Sequence, residues 1–314
     1  MYIITHGDCD GICAGALVLS IFPESNVVFS NPIRLYDSLK KVYEDETVIV
    51  CDIAINEILF EKLGCLLNNF KHIIYIDHHP LSDKIVSKLG PNIDLVHNLE
   101  CSASELTFYK FKESIVPEYS RVAVYGAIGD YLDNTKGVQD IIVNWDKRTL
   151  YFQTGVLIQA LEVIRKNDDK KLEILGKLSK NVPPSEIDSL IELAIESARK
   201  EEEMRKYVKD NVLKVGEIGY ILNPNGPLGK AAIYAKAYTR ASVGLAGEIR
   251  RGKVEMSLRT HFNIDLNSIL IEIAPKFDGV GGGHSKAAGA EVPYERFQDF
   301  LNELNAKVSV NLPK

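Results

Sequence analysis

Residues 2–11 read YIITHGDCDG, an apolar run followed by one histidine, two aspartates, two glycines and a cysteine. The short run at residues 2–5 is typical of a buried strand. Beyond it, His6, Asp8 and Asp10 alternate along the chain, so an extended backbone would point all three side chains to one side. The segment therefore predicts a strand that brings an imidazole and two carboxylates to one place.

Further apolar runs alternate with helical patterns in the first third of the chain. Strands are predicted at residues 27–30, 47–51 and 73–76, and helices at residues 12–21 and 55–68. Such alternation is typical of βαβ units and a parallel sheet. Asp52 follows one predicted strand and Asp77-His78-His79 follows another. Because ligands bind at the carboxyl edge of a parallel sheet, these side chains are expected to lie near Asp8 and Asp10.

Several carboxylates at one edge repel each other unless a counter-charge is present. The sequence offers none nearby, since no Lys or Arg precedes Arg34 and none lies between Lys41 and Lys62. A bound divalent metal is the economical source of positive charge. Mixed carboxylate and imidazole ligands favour Mn²⁺ or Mg²⁺ over Ca²⁺.

The remaining patterns predict a helical middle and a second, smaller domain. Helices are predicted at residues 102–112, 119–128, 183–211, 266–274 and 294–304, and strands at residues 218–222, 242–248 and 254–259. The predicted fold class is α/β, with an N-terminal parallel-sheet domain and a smaller C-terminal α/β domain with a mixed sheet. The predicted boundaries are 1–150 for the N-terminal domain, 151–212 for a helical linker region and 213–314 for the C-terminal domain.

Composition and charge limit the cellular setting and the partners. The N-terminus has no basic segment of a signal peptide, and no apolar run is long enough to cross a membrane, so a cytoplasmic protein is expected. Five cysteines, an odd number, are expected to be buried apolar residues rather than disulfides. Residues 1–150 carry 13 basic and 21 acidic side chains, whereas residues 213–314 carry 13 and 10. An overall net charge of −6 argues against a broad coat on duplex DNA.

A glycine cluster at residues 278–289 reads DGVGGGHSKAAG. It is neither a dinucleotide fingerprint, because His284 stands at the third glycine position, nor a P-loop, because no G-K-[ST] closes it. Two interpretations stay open at this point. The cluster is either a flexible loop or a segment whose backbone N–H groups approach phosphate oxygens at the start of a helix.

Taken together, these motifs resemble the DHH phosphoesterases, in the subfamily that carries a C-terminal DHHA1 domain and includes RecJ-type exonucleases and bacterial nanoRNases. The matching elements stand in family order over nearly the whole chain. They are His6-x-Asp8-x-Asp10-Gly11, Asp52, Asp77-His78-His79, Gly129-Asp130 and Gly281-Gly282-Gly283-His284.

The resemblance implies two divalent metal ions, Mn²⁺ or alternatively Mg²⁺, that share a water of lowered pKa. It implies that His6, Asp8 and Asp52 hold one ion, and that Asp10, Asp52, His78 and Asp130 hold the other. By the same resemblance Asp77 orients a ligand and His79 faces the phosphate. Gly281, Gly282, Gly283, His284 and Arg259 would bind the substrate backbone, with His79, His284 and Arg259 acting in catalysis. Arg240 and Lys286 are further candidates for which a plain surface role is equally open.

The function expected from this resemblance is hydrolysis of single-stranded DNA or RNA, especially short oligonucleotides, from an end and in a cleft between the domains. Three alternatives stay open: a replication-associated scaffold of the RecJ/Cdc45 kind with a replication-complex partner, a cyclic dinucleotide phosphodiesterase, and an inorganic pyrophosphatase. The complete set of metal-binding positions favours an enzyme over a scaffold. The glycine–histidine element argues against a pyrophosphatase, and no membrane or sensory segment accompanies the chain.

Overall fold

The computed structural model describes residues 1–57 and 59–311 and separates into two compact units, Met1–Ser197 and Ala198–Lys314. The functional boundaries at residues 150 and 212 stay a prediction. Among the described residues, no helix is both long enough and apolar enough to cross a membrane.

The first unit is built on a parallel sheet, as the sequence predicts, but the sheet has a fifth strand that the sequence analysis did not predict. Its strands are β1 (Tyr2–His6), β2 (Asn26–Ser30), β3 (Thr47–Cys51), β4 (His72–Asp77) and β5 (Ile93–His97). They lie in the order β2-β1-β3-β4-β5, and every neighbouring pair is parallel. The central strands are buried on both faces, which explains their continuous apolar runs.

Helices cover both faces of this sheet. They are α1 (Cys9–Ile21), α2 (Leu35–Leu39), α3 (Phe60–Asn69), α4 (Asp83–Val86), α5 (Ala103–Lys110), α6 (Ser120–Gly129), α7 (Lys136–Ile142), α8 (Lys147–Ile164) and α9 (Asp168–Leu178). Helix α1 is buried from Cys9 to Val18, because its faces meet the sheet and helices α5, α6 and α9. Cys9, Cys13 and Cys51 are buried and unpaired, whereas Cys65 is exposed.

The predicted helix starts at residues 55 and 183 are wrong by five and seven residues, and those at residues 12 and 294 by three. The helix predicted from residue 55 begins at Phe60, because Ile53 and Ile55 alternate as buried residues of an irregular segment. The long helix predicted from residue 183 begins at Leu190. A short 3₁₀ turn occupies Pro184–Glu186, and Ser189 has a φ of 66°, so the backbone leaves the right-handed helical region before α10 (Leu190–Asn211) starts.

The second unit contains a mixed six-stranded sheet. Its strands are β6 (Leu213–Val215), β7 (Ile218–Leu222), β8 (Val243–Arg250), β9 (Lys253–Thr260), β10 (Val280–Gly283) and β11 (Ala287–Pro293), in the order β10-β11-β9-β8-β7-β6. Only β7 and β8 pair in parallel among the described strands of this unit. Its helices are the C-terminal part of α10, α11 (Leu228–Thr239), α12 (Leu266–Ile273) and α13 (Phe297–Val310). Helices α12 and α13 share one apolar core with the sheet.

Helix α11 lies on the opposite face and approaches the sheet closely. A Cβ at Gly219 would lie 2.6 Å from the carbonyl oxygen of Ala235, and one at Gly244 would overlap the carbonyl of Ala232. Small residues on the helix, including Ala231, are fully buried there. The glycines therefore set the distance between the helix and the sheet, which in turn sets where the side chains of β9 on this face can go.

The glycine cluster is neither a flexible loop nor a helix start. Val280–Gly283 forms β10, which pairs antiparallel with β11, and His284 and Ala287 exchange backbone hydrogen bonds across the turn between them. A Cβ at Gly281 would lie 2.9 Å from the Cβ of Leu270 on α12. Glycine is thus required for helix packing at this position, and the hairpin exposes His284 at its tip.

Candidate active site

The first cluster of donors surrounds the end of β1 and the start of α1. Nδ1 of His6 lies 2.7 Å from Oδ2 of Asp8 and 3.6 Å from Oδ2 of Asp52. The other carboxylate oxygen of Asp8 accepts a hydrogen bond from the backbone N–H of Gly11 and so caps α1. The cap fixes the Asp8 carboxylate at the strand–helix junction, where it faces His6.

The second cluster joins four elements of the same unit. Nε2 of His78 lies 3.3 Å from Oδ1 of Asp52 and 3.2 Å from Oδ2 of Asp130. Asp10 is fully buried beside them, and its carboxylate accepts hydrogen bonds from the backbone N–H groups of Ala103 (2.6 Å) and Ser104 (2.9 Å) at the start of α5. Ligand atoms of Asp10, Asp52, His78 and Asp130 all lie within 4.8 Å of one another.

Asp52 belongs to both clusters and is held in an unusual backbone conformation. Its φ is 58°, in the left-handed region that non-glycine residues rarely adopt. Its backbone N–H donates to the carbonyl of Ile76 at 2.9 Å, which ties the end of β3 to β4. One carboxylate oxygen faces His6 and the other faces His78. The strained turn thus places one buried carboxylate between two groups of potential ligands.

The arrangement fits divalent metal ions. Oδ2 of Asp52 is buried and has no hydrogen-bond partner among the described residues, a costly state for an anionic oxygen unless a cation occupies the space beside it. One further donor, His79, forms a third group with Asp52 and His78. The donor set combines carboxylate oxygens with imidazole nitrogens, a set that suits Mn²⁺ or Mg²⁺.

Burial and mutual repulsion act on the carboxyl groups of the site. Burial, with the charges of Asp52 and Asp130, raises the pKa of Asp10 well above its usual value. Burial and the charge of Asp8 raise the pKa of Asp52 to about 6. Burial opposes ionisation of Asp8 too, but the neighbouring imidazole of His6 prevails and lowers the pKa of Asp8. The cluster therefore has more negative charge than its surroundings can stabilise.

The imidazoles respond in the opposite direction. Burial alone would lower the pKa of His6, but the carboxylates of Asp8 and Asp52 raise it to about 11. The pKa of His78 is likewise raised to about 11, because hydrogen bonds to Asp130 and Asp52 outweigh burial. Without metal, the site thus retains protons as its counter-charge, and an incoming cation must displace them.

His79 is positioned by its neighbours in the loop after β4. Its Nδ1 lies 2.8 Å from Oδ1 of Asp77, and its carbonyl oxygen lies 2.7 Å from Nε2 of His97. Burial disfavours the charged form of His79, yet the Asp77 carboxylate raises its pKa. Since Nδ1 is engaged by Asp77, His79 can act on a substrate only through Nε2. The sequence analysis did not identify His97 as a neighbour of the site. His97 ends β5 and pairs with Asp77 at the end of β4, a position that a prediction of β5 and its register would have given.

A basic cavity adjoins the first cluster, and sequence reasoning missed it as well. The cavity has a volume of about 570 Å³ and is lined by His6, Gly7, Asp8, Phe29, Ser30, Asn31, Arg34, Arg165, Lys166, Asp168 and Lys171. The ammonium group of Lys171 approaches the backbone of the motif closely, since a Cβ added at Gly7 would lie 2.7 Å from its Nζ. Burial lowers the pKa of Lys171, which is partly offset by Asp168 and Asp8. Arg34 lies just before α2, Arg165 and Lys166 lie in the turn between α8 and α9, and Lys171 lies on α9. Because they come from separate parts of the chain, no local pattern reveals them.

In the second unit, Arg259 lies on the central strand β9 and faces α11. Its guanidinium donates from Nη1 to the hydroxyl of Ser257 (2.8 Å) and to the carbonyl of Leu258 (2.9 Å). A Cβ at Gly229 would lie only 2.6 Å from Nη2 of Arg259. Gly229, on the first turn of α11, therefore leaves the space in which the guanidinium is held, and it is another residue that the sequence did not reveal.

The other candidates of the second unit occupy the hairpin and the end of a helix. His284 and Lys286 are exposed at the turn between β10 and β11, and the backbone N–H of Gly283 donates to Oδ1 of Asn267 at 2.9 Å. Arg240 ends α11 in a left-handed conformation, with a φ of 51°. The structure thus brings Gly281–Gly283 and His284 together on one hairpin, while Arg240 belongs to another element.

Two family models match the chain. The model of the DHH family, N-terminal domain, matches residues 1–128, and the model of the DHHA1 domain matches residues 222–310. No curated protein matches the sequence.

Solved structures share the fold at low sequence identity. A pGpG-specific phosphodiesterase, PggH of Vibrio cholerae, is 13% identical, with a TM-score of 0.62 over 99% of both chains. RecJ of Thermus thermophilus in complex with Mn²⁺ is 17% identical, with a TM-score of 0.68 over 100% of this chain and 52% of that one. CDC45 of Entamoeba histolytica is 11% identical, with a TM-score of 0.61 over 98% of this chain and 95% of that one. At these identities the likeness establishes the fold.

Proposed function

Because the chain belongs to the DHH/DHHA1 family, we propose that it is a divalent-metal-dependent phosphodiesterase that hydrolyses single-stranded DNA or RNA from an end. Short oligonucleotides are the proposed preferred substrates. The observation that carries the proposal is Asp52, a buried carboxylate shared by two groups of donors, one with His6 and Asp8 and the other with Asp10, His78 and Asp130. Two sets of ligands that share one carboxylate suit a pair of divalent ions.

The chain's own residues have separate proposed tasks at this site. Mn²⁺, or Mg²⁺ in its place, would supply Lewis-acid polarisation of a phosphoryl oxygen and activation of water when bound. Asp52 holds its carboxylate between both groups of ligands. Asp77 fixes the ring of His79 through Nδ1, so that Nε2 can contact a phosphate oxygen or exchange a proton with it. The Ala103 and Ser104 N–H groups hold Asp10 in place from behind.

The second unit, Ala198–Lys314, contains the residues that match the DHHA1 model and is called the DHHA1 unit below. It is proposed to bind the phosphodiester backbone of the same substrate. Arg259 is anchored by Ser257 and Leu258, which orients a planar, permanently charged donor. The imidazole of His284, exposed at the tip of the glycine hairpin, is a further proposed contact to the phosphate. A preorganised cation of this kind stabilises negative charge that develops on a phosphate during hydrolysis.

Preference for short, single-stranded substrates is supported by the charge of the chain and by the basic cavity. The net charge of −6 opposes extensive binding to duplex DNA, which depends on many phosphate contacts. The basic cavity beside His6 and Asp8 offers Arg34, Arg165, Lys166 and Lys171 to a limited number of phosphates. A few phosphate contacts near the metal ligands suit a short strand or a strand end.

A scaffold role is the second candidate, since the chain shares the fold of a CDC45. The assembled ligand groups argue against a purely structural role, because a scaffold gains nothing from the cost of clustering buried carboxylates. Cyclic dinucleotides are a further proposed substrate class for the same site. Linear single strands and a cyclic dinucleotide can be compared in one assay.

The test uses end-labelled single-stranded RNA and DNA ladders, from dinucleotides to about 30 nucleotides, with a cyclic dinucleotide added as a separate substrate. The purified chain is incubated with Mn²⁺, Mg²⁺ or excess EDTA. We expect metal-dependent release of mononucleotides from one end, fastest for the shortest strands. Turnover that persists in EDTA would contradict the metal mechanism. Efficient cutting of a closed circular strand would contradict attack from an end, and an inert chain that binds a replication partner would support the scaffold.

A further inference from the structure

Tyr131 follows the candidate ligand Asp130 and occupies a backbone position that normally selects glycine. Helix α6 ends with two hydrogen bonds, from the N–H of Tyr131 to the carbonyl of Ile128 and from the N–H of Leu132 to the carbonyl of Ala127. These two bonds define a Schellman motif, in which the residue at the position of Tyr131 is left-handed and is usually glycine. The φ of Tyr131 is 59°.

A tyrosine in this conformation is unfavourable for the fold. Nine non-glycine residues of the described ranges 1–57 and 59–311 have positive φ, and Tyr131 is the only aromatic one among them. Most of the others are polar, including Asn181 and Asn223, and asparagine tolerates this region. Bulky residues at positive φ are genuine outliers that cluster at functional sites.

Packing does not explain the side chain either. Tyr131 is 82% exposed, and its ring and hydroxyl form no hydrogen bond, ring contact or cation–π contact within residues 1–57 and 59–311. An exposed aromatic ring in a strained turn therefore stabilises nothing in its own unit. It stands one residue from Asp130, whose carboxylate lies 3.2 Å from His78.

We propose that Tyr131 is a base-binding residue, on whose ring a nucleobase of the substrate stacks beside the metal ligands. This inference rests on the proposed function and adds the part of the substrate that phosphate-binding groups do not recognise. Stacking on an aromatic side chain is tolerant of sequence, because every base has a π-face. It would hold the nucleotide next to the scissile phosphate through its base, independently of the backbone contacts.

The decisive variant is Tyr131→Gly, since glycine suits the backbone and removes only the ring. Binding is measured by fluorescence anisotropy of a labelled short single strand in EDTA, and cleavage is measured separately with Mn²⁺. We expect Tyr131→Gly to raise the dissociation constant about 10-fold, within the range for loss of one stacked base. Its melting temperature should equal or exceed that of the wild type, and Tyr131→Phe should bind as the wild type does.

Abasic strands locate the contact. In the wild type, removal of the base at one position should weaken binding to a similar extent, and Tyr131→Gly should be insensitive to that removal. Tyr43→Ala is the matched control, because Tyr43 is 76% exposed and lies in the loop before β3, at the other end of the strand from Asp52. Tyr131→Asn, which also tolerates positive φ, replaces the glycine variant if that protein does not fold.

The outcomes separate the two proposals. Unchanged binding by Tyr131→Gly, or an equal loss on strands with and without the base, would overturn the stacking role. A wild type that binds with base dependence but never cleaves would overturn the hydrolase proposal alone. A wild type that neither binds a single strand nor cleaves one with Mn²⁺ would overturn both.

Discussion

The two units place functional groups on their sheets in different ways. In the first unit, Met1–Ser197, called the DHH unit after the model that matches it, every neighbouring strand pair is parallel. Strands β1, β3 and β4 bring acidic and imidazole side chains to one edge of the sheet, where Asp52 belongs to two groups of donors. In the DHHA1 unit, the sheet is mixed and the candidate groups lie on a central strand and on a hairpin. The first arrangement concentrates negative charge, and the second presents the anchored guanidinium of Arg259 and the exposed imidazole of His284. The first unit could thus hold metal ions, and the second is proposed to bind phosphates.

The comparison predicts that the largest loss of activity follows from a change in the shared carboxylate. Asp52→Asn preserves the size of the side chain but removes the charge that both groups of ligands use. Loss of an outer-shell partner of a metal ligand costs about 10- to 100-fold in metal affinity or activity, and Asp52→Asn should cost more. Isothermal titration with Mn²⁺ and the oligonucleotide assay measure the two effects.

Asp45→Asn provides the matched control, because Asp45 is exposed in the loop before β3. It should bind Mn²⁺ and cleave as the wild type does. An Asp52→Asn protein that folds, binds Mn²⁺ with unchanged stoichiometry and retains its turnover would contradict the shared-ligand model.

The second prediction concerns the cation of the DHHA1 unit. Arg259→Ala should lower kcat/KM by roughly 10²-fold, the usual scale for loss of one group that stabilises developing charge, while Mn²⁺ affinity stays unchanged. Arg259→Lys should recover little, because an ammonium group cannot reproduce the planar contacts to Ser257 and Leu258. Arg250→Ala, at an exposed arginine of the same unit, is the control. Equal activity of the Arg259 and Arg250 variants would remove Arg259 from the site.

Much of the DHH unit was predictable from sequence because local patterns carry it. Strands β1 to β4 coincide with apolar runs, and each candidate ligand except Asp130 stands at or just beyond the end of one of those runs. The predicted starts of α3 and α10 were wrong. Helix periodicity in a sequence does not reveal a residue with a left-handed backbone conformation, such as Ser189 before α10. Strand β5 was missed, and with it the position of His97.

The DHHA1 unit was less predictable at its functional elements, because tertiary contacts decide them. A run of glycines has low strand propensity, yet Gly281 and its neighbours form β10 through pairing with β11 and through the close approach of α12. Likewise, the role of Gly229 depends on Arg259, which lies on a different element. Neither relation leaves a periodic signal in the sequence.

The third prediction concerns the pH dependence of Mn²⁺ binding to the acidic DHH unit, which the basic group of the DHHA1 unit should not share. In the metal-free protein His6 and His78 have pKa values of about 11, and Asp52 has a pKa of about 6. A divalent ion needs all three groups deprotonated, so binding releases protons and becomes weaker as the pH falls. Mn²⁺ affinity should fall by about 10-fold or more for each pH unit between pH 8 and pH 6.

Titrations at several pH values in buffers of different ionisation enthalpy measure both the affinity and the number of protons released. The phosphate-binding contribution of Arg259 should not follow this trend, because its guanidinium stays charged throughout. Mn²⁺ affinity that is independent of pH would contradict the protonated imidazoles of the metal-free site.

The smallest expected effect concerns Gly229, and it separates positioning from stability most clearly. An added methyl group would lie 2.6 Å from Nη2 of Arg259, at the far end of a flexible side chain that can move aside. Gly229→Ala should therefore not destabilise the fold, and alanine in the first turn of α11 should stabilise it by up to about 1 kcal/mol. The displaced guanidinium should nevertheless lower kcat/KM about 10-fold, since misplacement by about 1 Å is enough to slow catalysis. Gly155→Ala, in α8 where a Cβ meets no atom within 4 Å, supplies the control for the helix effect.

In a Gly229→Ala, Arg259→Ala double variant the glycine change should add no further loss of kcat/KM, because the group it displaces is already absent. If Gly229→Ala lowered kcat/KM by the same factor in the Arg259→Ala background as in the wild type, Gly229 would contact the substrate itself rather than position Arg259.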